Sequence, residues 1–383
     1  MPDAYILGIE SSCDETGAAV VRSGEKVISN VVASQIALHQ IYGGVVPELA
    51  SREHLRAIVP VVRQALTEAK QSYESVDAIA VTQGPGLAGA LLVGISYAKA
   101  LAFALDKPLI AVNHLEGHIH AVLLEERQKG NHELQFPVLA LVVSGGHTHL
   151  YLAAQKNEGW TYENIGHTRD DAAGEAFDKV AMLLGLGYPG GPITDSMAPH
   201  GDPTAVKFPP AQIKHRDRRN HRQKPDDNEQ PRFDFSYSGI KTAVLRYVEV
   251  HEMRSSIEKR REVLAKIQKP RLEDYLANCD KRTLDLVASF QRAMVEDLVG
   301  KTLAPARACD VATLFVTGGV AANSELRKTF EQRAAQDGVP VYFPSRPLST
   351  DNAAMIAAAA YPKFLAGDFA GMDFSAEASL ALR

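Results

Sequence analysis

Apolar and polar positions along this chain switch between a two-residue and a 3.6-residue period, and the switches mark its elements. Tyr5-Ile6-Leu7-Gly8-Ile9-Glu10 has the length and apolar density of a buried strand. Ser11 to Gly17 form a turn of small and acidic residues, and residues 18–21 return as a second strand. The strand pattern continues over 26–32. Apolar residues at helical spacing (Leu55, Ile58, Val59, Val62, Leu66) predict a helix over 49–69 with that stripe in the core. Strands are expected over 76–82 and 108–113, with an apolar helix ending near Leu105 between them. Residues 124–135 read as a charged connector. A strongly apolar strand over 136–143, the turn Ser144-Gly145-Gly146-His147-Thr148-His149 and a strand over 150–154 then repeat the opening plan. Two such beginnings suggest duplicated lobes facing each other across a cleft.

Further on, Asp170 to Ala181 reads as the start of a helix, with Asp170 and Asp171 suited to its dipole. Gly187-Tyr188-Pro189-Gly190-Gly191-Pro192 reads as a rigid turn, closely followed by Asp195. Helices are expected over 254–269 and 283–303, and strands over 311–316 and 339–343. Thr317 to Asn323 forms a Gly-Gly turn that opens a helix through Leu326 and Phe330. Ser349-Thr350-Asp351-Asn352 starts an Ala-rich helix in which Asp351 is placed either to cap or, from the turn after the last strand, to face the first lobe and its histidines.

Composition narrows the class. The 383 residues suffice for two domains, and 45% hydrophobic with 23% charged residues is ordinary for a globular protein. No run reads as the ~18–20 apolar residues that span a bilayer, and the N-terminus lacks a signal-peptide pattern; no membrane association is expected. Three scattered cysteines without a CxxC pair suit a reducing cytoplasm and argue against a thiolate zinc site. A net charge of −5 means that any nucleic-acid contact must rest on a local basic patch. Residues 207–232 offer one: a polar insertion crowded with Lys214, Arg216, Arg218, Arg219, Arg222 and Lys224. It is either a solvated loop or a contact for RNA phosphates.

The candidate chemistry centres on His114-Leu115-Glu116-Gly117-His118-Ile119-His120. On a helix, His114 and His118 share a face one turn apart. Such a pair supplies two ligands to a transition metal, or is simply two partly buried histidines; a third ligand decides. Asp14 and Glu15 are adjacent carboxylates in a turn that either is merely solvated or faces a ligand. Gly84 to Ala90 either presents backbone amides to an anion or packs a helix closely on a sheet. The glycines after Val143 permit close backbone approach to phosphate oxygens. Asp178, inside its helix, suggests a partner for a ligand hydroxyl such as a ribose.

Taken together, these segments resemble the TsaD (Gcp/YgjD) family of bacterial tRNA adenosine threonylcarbamoyltransferases over nearly the whole chain. The resemblance rests on Gly8-Ile9-Glu10-Ser11-Ser12-Cys13-Asp14-Glu15-Thr16, His114-Leu115-Glu116-Gly117-His118, Ser144-Gly145-Gly146-His147-Thr148, the stretch from Asp170 to Lys179, Ser236-Tyr237-Ser238-Gly239-Ile240-Lys241, Gly318 to Asn323, and Ser349-Thr350-Asp351-Asn352. It implies a two-lobed α/β fold of the actin, sugar-kinase and Hsp70 type (ASKHA). One lobe would span 1–125 with 352–383, and the other 126–351. It implies one divalent metal per subunit, iron with zinc as the alternative, on His114, His118 and Asp351. It assigns Val142, Val143, Ser144, Gly145, Gly146, Asp178, Gly191, Asp195 and Asn323 to threonylcarbamoyl-AMP, and puts Asp14 and Glu15 near the reacting centre. The implied activity moves threonylcarbamoyl from that adenylate to N6 of adenosine 37 in tRNAs reading ANN codons, giving t6A. The implied partners are tRNA and TsaB-like and TsaE-like proteins. The chain departs from the family pattern in the insertion before Phe233 and in a lengthened charged segment over 254–276.

Rival readings are an ATP-dependent phosphotransferase or a non-catalytic scaffold on the same fold, and a metalloprotease. Paired histidines are unexpected in the first, which uses magnesium on carboxylates and phosphates. Retention of all three candidate ligands argues against the second. The third lacks the HExxH general base.

Overall fold

A computed structural model describes residues 3–156, 159–208 and 233–383. The first half contains β1 (Tyr5–Glu10), β2 (Glu15–Arg22), β3 (Lys26–Ser34), α1 (Ile36–His39), α2 (Pro47–Ala69), β4 (Ala78–Gly84), α3 (Ala88–Leu105), β5 (Leu109–Asn113) and α4 (His114–Gln128). The second begins with β6 (Val138–Val143), β7 (Thr148–Lys156), β8 (Gly159–His167), α5 (Ala173–Leu183) and α6 (Gly190–Met197). Four helices follow, α7 (Ser238–Val250), α8 (Arg254–Leu264), α9 (Leu272–Ala277) and α10 (Lys281–Ala308). The chain then runs through β9 (Thr313–Thr317), α11 (Ser324–Asp337), β10 (Val341–Tyr342), α12 (Arg346–Ser349) and α13 (Ala353–Ala366).

The strands form two five-stranded sheets, ordered β3-β2-β1-β4-β5 and β8-β7-β6-β9-β10. In each, the central strand is antiparallel to the next strand in sequence and parallel to a later one: β1 to β2 and β4, β6 to β7 and β9. The chain therefore builds the same sheet twice, the two-lobed actin-like α/β fold. Both central strands are almost wholly buried, which is why they read as continuous apolar runs without alternation.

Two helices join the halves. Helix α13 buries every residue from Ala353 to Tyr361 and packs across β1, β2, β4 and β5. Small side chains permit that closeness: a Cβ on Gly8 would run into the carbonyl oxygen of Ala353. Helix α4 has apolar residues on both flanks. Ala121 and Leu124 join the core under α13, while Leu115, Ile119, Val122 and Leu123 pack on Val138, Ala140, Val142 and Phe315 of the second sheet. Each large apolar side chain so buried contributes about 1.5–3 kcal/mol. The N-terminal end of α4 is thereby fixed between the lobes.

Several sequence expectations change. Leu55 and Val59 of α2 are exposed, and the buried stripe is Ile58, Val61, Val62, Ala65, Leu66 and Ala69. The expected connector after Leu124 is helical to Gln128. The expected turn at Gly190 is the first residue of α6. Helix α3 is long and apolar enough to cross a bilayer, although no such run was expected. Its Ala90, Leu91, Gly94, Ile95, Ala98 and Ala102 are buried as it packs on α2 and β4, the setting of a core helix. The basic run from Lys214 to Lys224 lies outside the described residues.

Candidate active site

Helix α4 starts directly after β5, capped by Asn113, whose side-chain oxygen accepts from the Leu115 amide. This puts His114 and His118 in its first two turns, both buried, with rings 4.7 Å apart and nearly perpendicular. Asp351 reaches them from the loop before α13. Its Oδ1 lies 3.6 Å from His114 Nε2 and 3.2 Å from His118 Nε2. One donor atom from each of the three residues falls within 4.8 Å of the others. Asp351 does not cap α13; Asn352 does, accepting from the Met355 amide at 3.1 Å, which leaves the Asp351 carboxylate to the histidines.

This group fits a divalent cation. His118 is fully buried, yet its Nδ1 has no hydrogen-bond partner among the described residues and its Nε2 has Asp351 Oδ1 alone, at 3.2 Å, a costly state for a buried polar group. Two imidazoles and a carboxylate are the donor set of a zinc or ferrous site. The electrostatics agree. Burial disfavours a charged His114, but the carboxylates of Asp351 and Glu10 outweigh it and hold the ring up to about 9. Burial raises Asp351, but His114 and His118 outweigh it and hold the carboxyl well below its usual range. Burial keeps His118 below its usual value.

The turn after β1 packs beside this group. Glu10 is fully buried and meets His114 Nδ1 at 3.0 Å, and Ser12 Oγ lies 3.2 Å from the same nitrogen. Burial, then the charges of Asp14 and Asp351, push the Glu15 carboxyl well above the usual carboxylate range. Burial and then the field of Asp14 likewise raise the Tyr188 hydroxyl of the second lobe. Asp14 and Glu15 thus lie near enough to Asp351 and to Tyr188 for their charges to be felt at both.

The second lobe holds the residues expected to contact an adenylate. Val142 and Val143 end β6 with their side chains in the core, so only their backbone is available. Ser144 turns back on His147, its amide donating to the His147 carbonyl at 2.8 Å. Gly145 and Gly146 are exposed, with open space where a Cβ would stand. Asp178 accepts from the Gly190 amide at 2.6 Å. Burial, opposed by that bond and reinforced by Asp14, pushes it up to about 6. Gly191 follows on α6 with open space beside it. Asp195 accepts from the Ser324 amide at 3.1 Å and hydroxyl at 2.8 Å, and Asn323 caps α11. Asp195 and Asn323 are joined by Gln291, which was not singled out in the sequence. Its Oε1 accepts from Asn323 Nδ2 at 3.0 Å and its Nε2 donates to Asp195 at 3.4 Å. A polar residue at an otherwise buried position of an amphipathic helix is the signal that would have found it.

Two expected features have other duties. Two amides of the Gly84–Ala90 stretch are engaged, Gly86 donating to Ala378 at 3.1 Å and Leu87 to Ser12 at 2.8 Å, so this part of the loop packs the C-terminal segment and the turn after β1. Asp170 does not cap α5. It accepts from Ser236 Oγ, the Tyr237 amide and Ser238 Oγ at 2.6–2.7 Å. Asp171 pairs with Lys179 and Lys241. These two carboxylates tie the Asp170–Lys179 motif to the Ser236–Lys241 motif. A cavity of about 1060 Å³ under that tie, between Tyr237 and Asp297, shares no residue with the histidine group or the glycine turn.

A family model described as TsaD, tRNA N6-adenosine threonylcarbamoyltransferase, matches residues 26–358. A protein of that name from Koribacter versatilis is 72% identical over 383 residues, covering all of both chains. Another from Syntrophobacter fumaroxidans is 51% identical over 93% of each. Among solved structures, full-length HypF in its phosphate- and nucleotide-bound form aligns with a TM-score of 0.55 at 14% identity, over 97% of this chain and 56% of that one; the likeness is one of fold.

Proposed function

The chain belongs to the TsaD family, the tRNA N6-adenosine threonylcarbamoyltransferases, and we propose that the cleft between its lobes is where this transfer takes place. The observation that carries the reading is the convergence of His114, His118 and Asp351, from distant parts of the chain, beside the Asp14–Glu15 turn. The phosphotransferase and scaffold alternatives are not favoured by relatives of this identity.

Our assignment divides the chain into lobes of 1–125 with 352–383 and of 126–351. The donor is threonylcarbamoyl-AMP, a mixed anhydride. The backbone from Val142 to Gly146 receives its phosphate, Asp178 its ribose, and Gly191, Asp195 and Asn323 the rest of the adenosine. His114, His118 and Asp351 hold one divalent ion, iron with zinc as the alternative. When bound, that ion supplies Lewis acidity at an oxygen of the donor. The acceptor is N6 of adenosine 37 in tRNAs reading ANN codons, turned out of the anticodon stack. N6 attacks the carbamoyl carbon, the bond to the phosphate oxygen breaks, and AMP leaves. Asp14 receives the N6 proton. Glu15, whose carboxyl burial and the charges of Asp14 and Asp351 push well above the usual carboxylate range, stands beside it. Exposed glycine amides offer donors to that phosphate without reorganisation. A tRNA substrate places the work in the cytoplasm, with TsaB-like and TsaE-like proteins as partners.

The test is a transfer assay with the full chain, both candidate partners, threonylcarbamoyl-AMP and unmodified tRNA, with nucleosides read by mass spectrometry. Wild type is expected to add one threonylcarbamoyl group to adenosine, and the double variant His114→Ala, His118→Ala to lose at least a hundredfold in rate. No mass gain with wild type, where a known family member succeeds alongside the same partners, would refute the reading.

A further inference from the structure

Glu10 ends β1 in a wholly buried position, where an ionised carboxylate is expensive unless every oxygen is engaged. Here both are. Oε1 accepts from the Ser12 amide at 2.5 Å. Oε2 accepts from Thr82 Oγ1 of β4 at 2.7 Å and lies 3.0 Å from His114 Nδ1. No partner needs to accept, so a carboxylate suits the position better than an amide. A glutamine would turn its NH₂ either toward the Ser12 amide or toward Thr82 and His114.

We propose that Glu10 is the positioning residue of His114: it holds the proton on Nδ1 and so presents the Nε2 lone pair to the metal position. This rests on the metal reading given above and adds a residue to it. The neighbours fit. His114 Nε2 is the nitrogen that faces Asp351, at 3.6 Å, and Ser12 Oγ lies 3.2 Å from Nδ1, a second oxygen beside the same nitrogen. The two histidines are thereby unequal. His114 is locked by a buried carboxylate, whereas His118 Nδ1 has no hydrogen-bond partner among the described residues. A carboxylate behind a ligand imidazole fixes its tautomer and ring angle and raises its basicity, and loss of such a partner typically weakens metal binding 10–100-fold.

The experiment uses the full chain stripped by a chelator and titrated with Co²⁺, following the visible d–d absorption and the heat of binding. Glu10→Gln is expected to bind Co²⁺ 10–100-fold more weakly than wild type, with an altered d–d spectrum and an unchanged far-ultraviolet circular dichroism spectrum. Binding within threefold of wild type, with the same spectrum, would overturn the proposal. Wild type that takes up no Co²⁺ would end the metal reading itself, and this one with it. Should Glu10→Gln fail to fold, the Zn²⁺ complex of wild type decides, with ¹⁵N-labelled histidine. His114 carrying its proton on Nδ1 is the expected result, and a proton on Nε2 overturns the assignment.

Discussion

Asp178 shows how much one buried carboxylate sets at the scale of a residue. Burial, and then the charge of Asp14, push it up to about 6 although it accepts from Gly190. Its folded value lies above the unfolded one. The neutral form is therefore favoured in the fold, and that contribution is complete below about pH 4 and lost as pH rises through about 6. Above that pH the charge costs on the order of 3 kcal/mol. Asp178→Asn is therefore expected to gain in melting temperature relative to wild type as the pH is raised from 4.5 to 7; a difference that stays constant across that range would contradict the assignment. Legibility in the sequence was uneven at this scale. The histidine spacing pointed to a shared helical face. Asp351, however, looked like a cap because Asp and Asn serve equally well before a helix, and only the structure shows Asn352 taking that role. Glu10 passed as the polar end of a strand. A charged residue closing a buried apolar run is the physical clue to its duty.

The elements that position the site are α4 and α13, and their closeness depends on side chains that are absent. Gly8→Ala would set a methyl group against the Ala353 carbonyl at the start of α13, two residues from Asp351. Overpacking of this kind costs about 1–3 kcal/mol. The variant is expected to melt several degrees lower and to bind divalent metal more weakly, by calorimetry, although Gly8 touches no ligand. Unchanged metal affinity would show that α13 does not set the place of Asp351. Strand order within each sheet could not be read from periodicity, but the repeated strand–turn–strand opening pointed to the duplication. The expected face of helix α2 holds at Ile58, Val62 and Leu66, but the burial also runs through Ala65 and Ala69 and leaves Leu55 and Val59 outside. Helix α6 read as a turn because Pro189, Gly190, Gly191 and Pro192 look like breakers. At a helix N-terminus a proline costs nothing, since the missing N–H has no partner there.

At the scale of the whole molecule, the same sheet occurs twice, and on the proposed reading each copy supplies a different half of the chemistry. The first lobe brings the carboxylates at the end of β1 and the two histidines of α4, and Asp351, at the end of the second lobe, completes the proposed metal donors. The second brings the glycine turn, Asp178 and the α6–α11 junction. On the proposed reading neither lobe alone holds both the donor's anhydride and the groups that act on it, so the central claim is that the adenylate lies across the cleft. The most direct measurement is a crystal structure of the full chain with a non-hydrolysable threonylcarbamoyl-AMP analogue. The account predicts the phosphate at Ser144–Gly146, a ribose hydroxyl within hydrogen-bond distance of Asp178, and the carbamoyl group beside His114, His118 and Asp351. An analogue seated instead in the cavity between Tyr237 and Asp297, or ordered against the second lobe with its carbamoyl group turned away from the histidines, would contradict it.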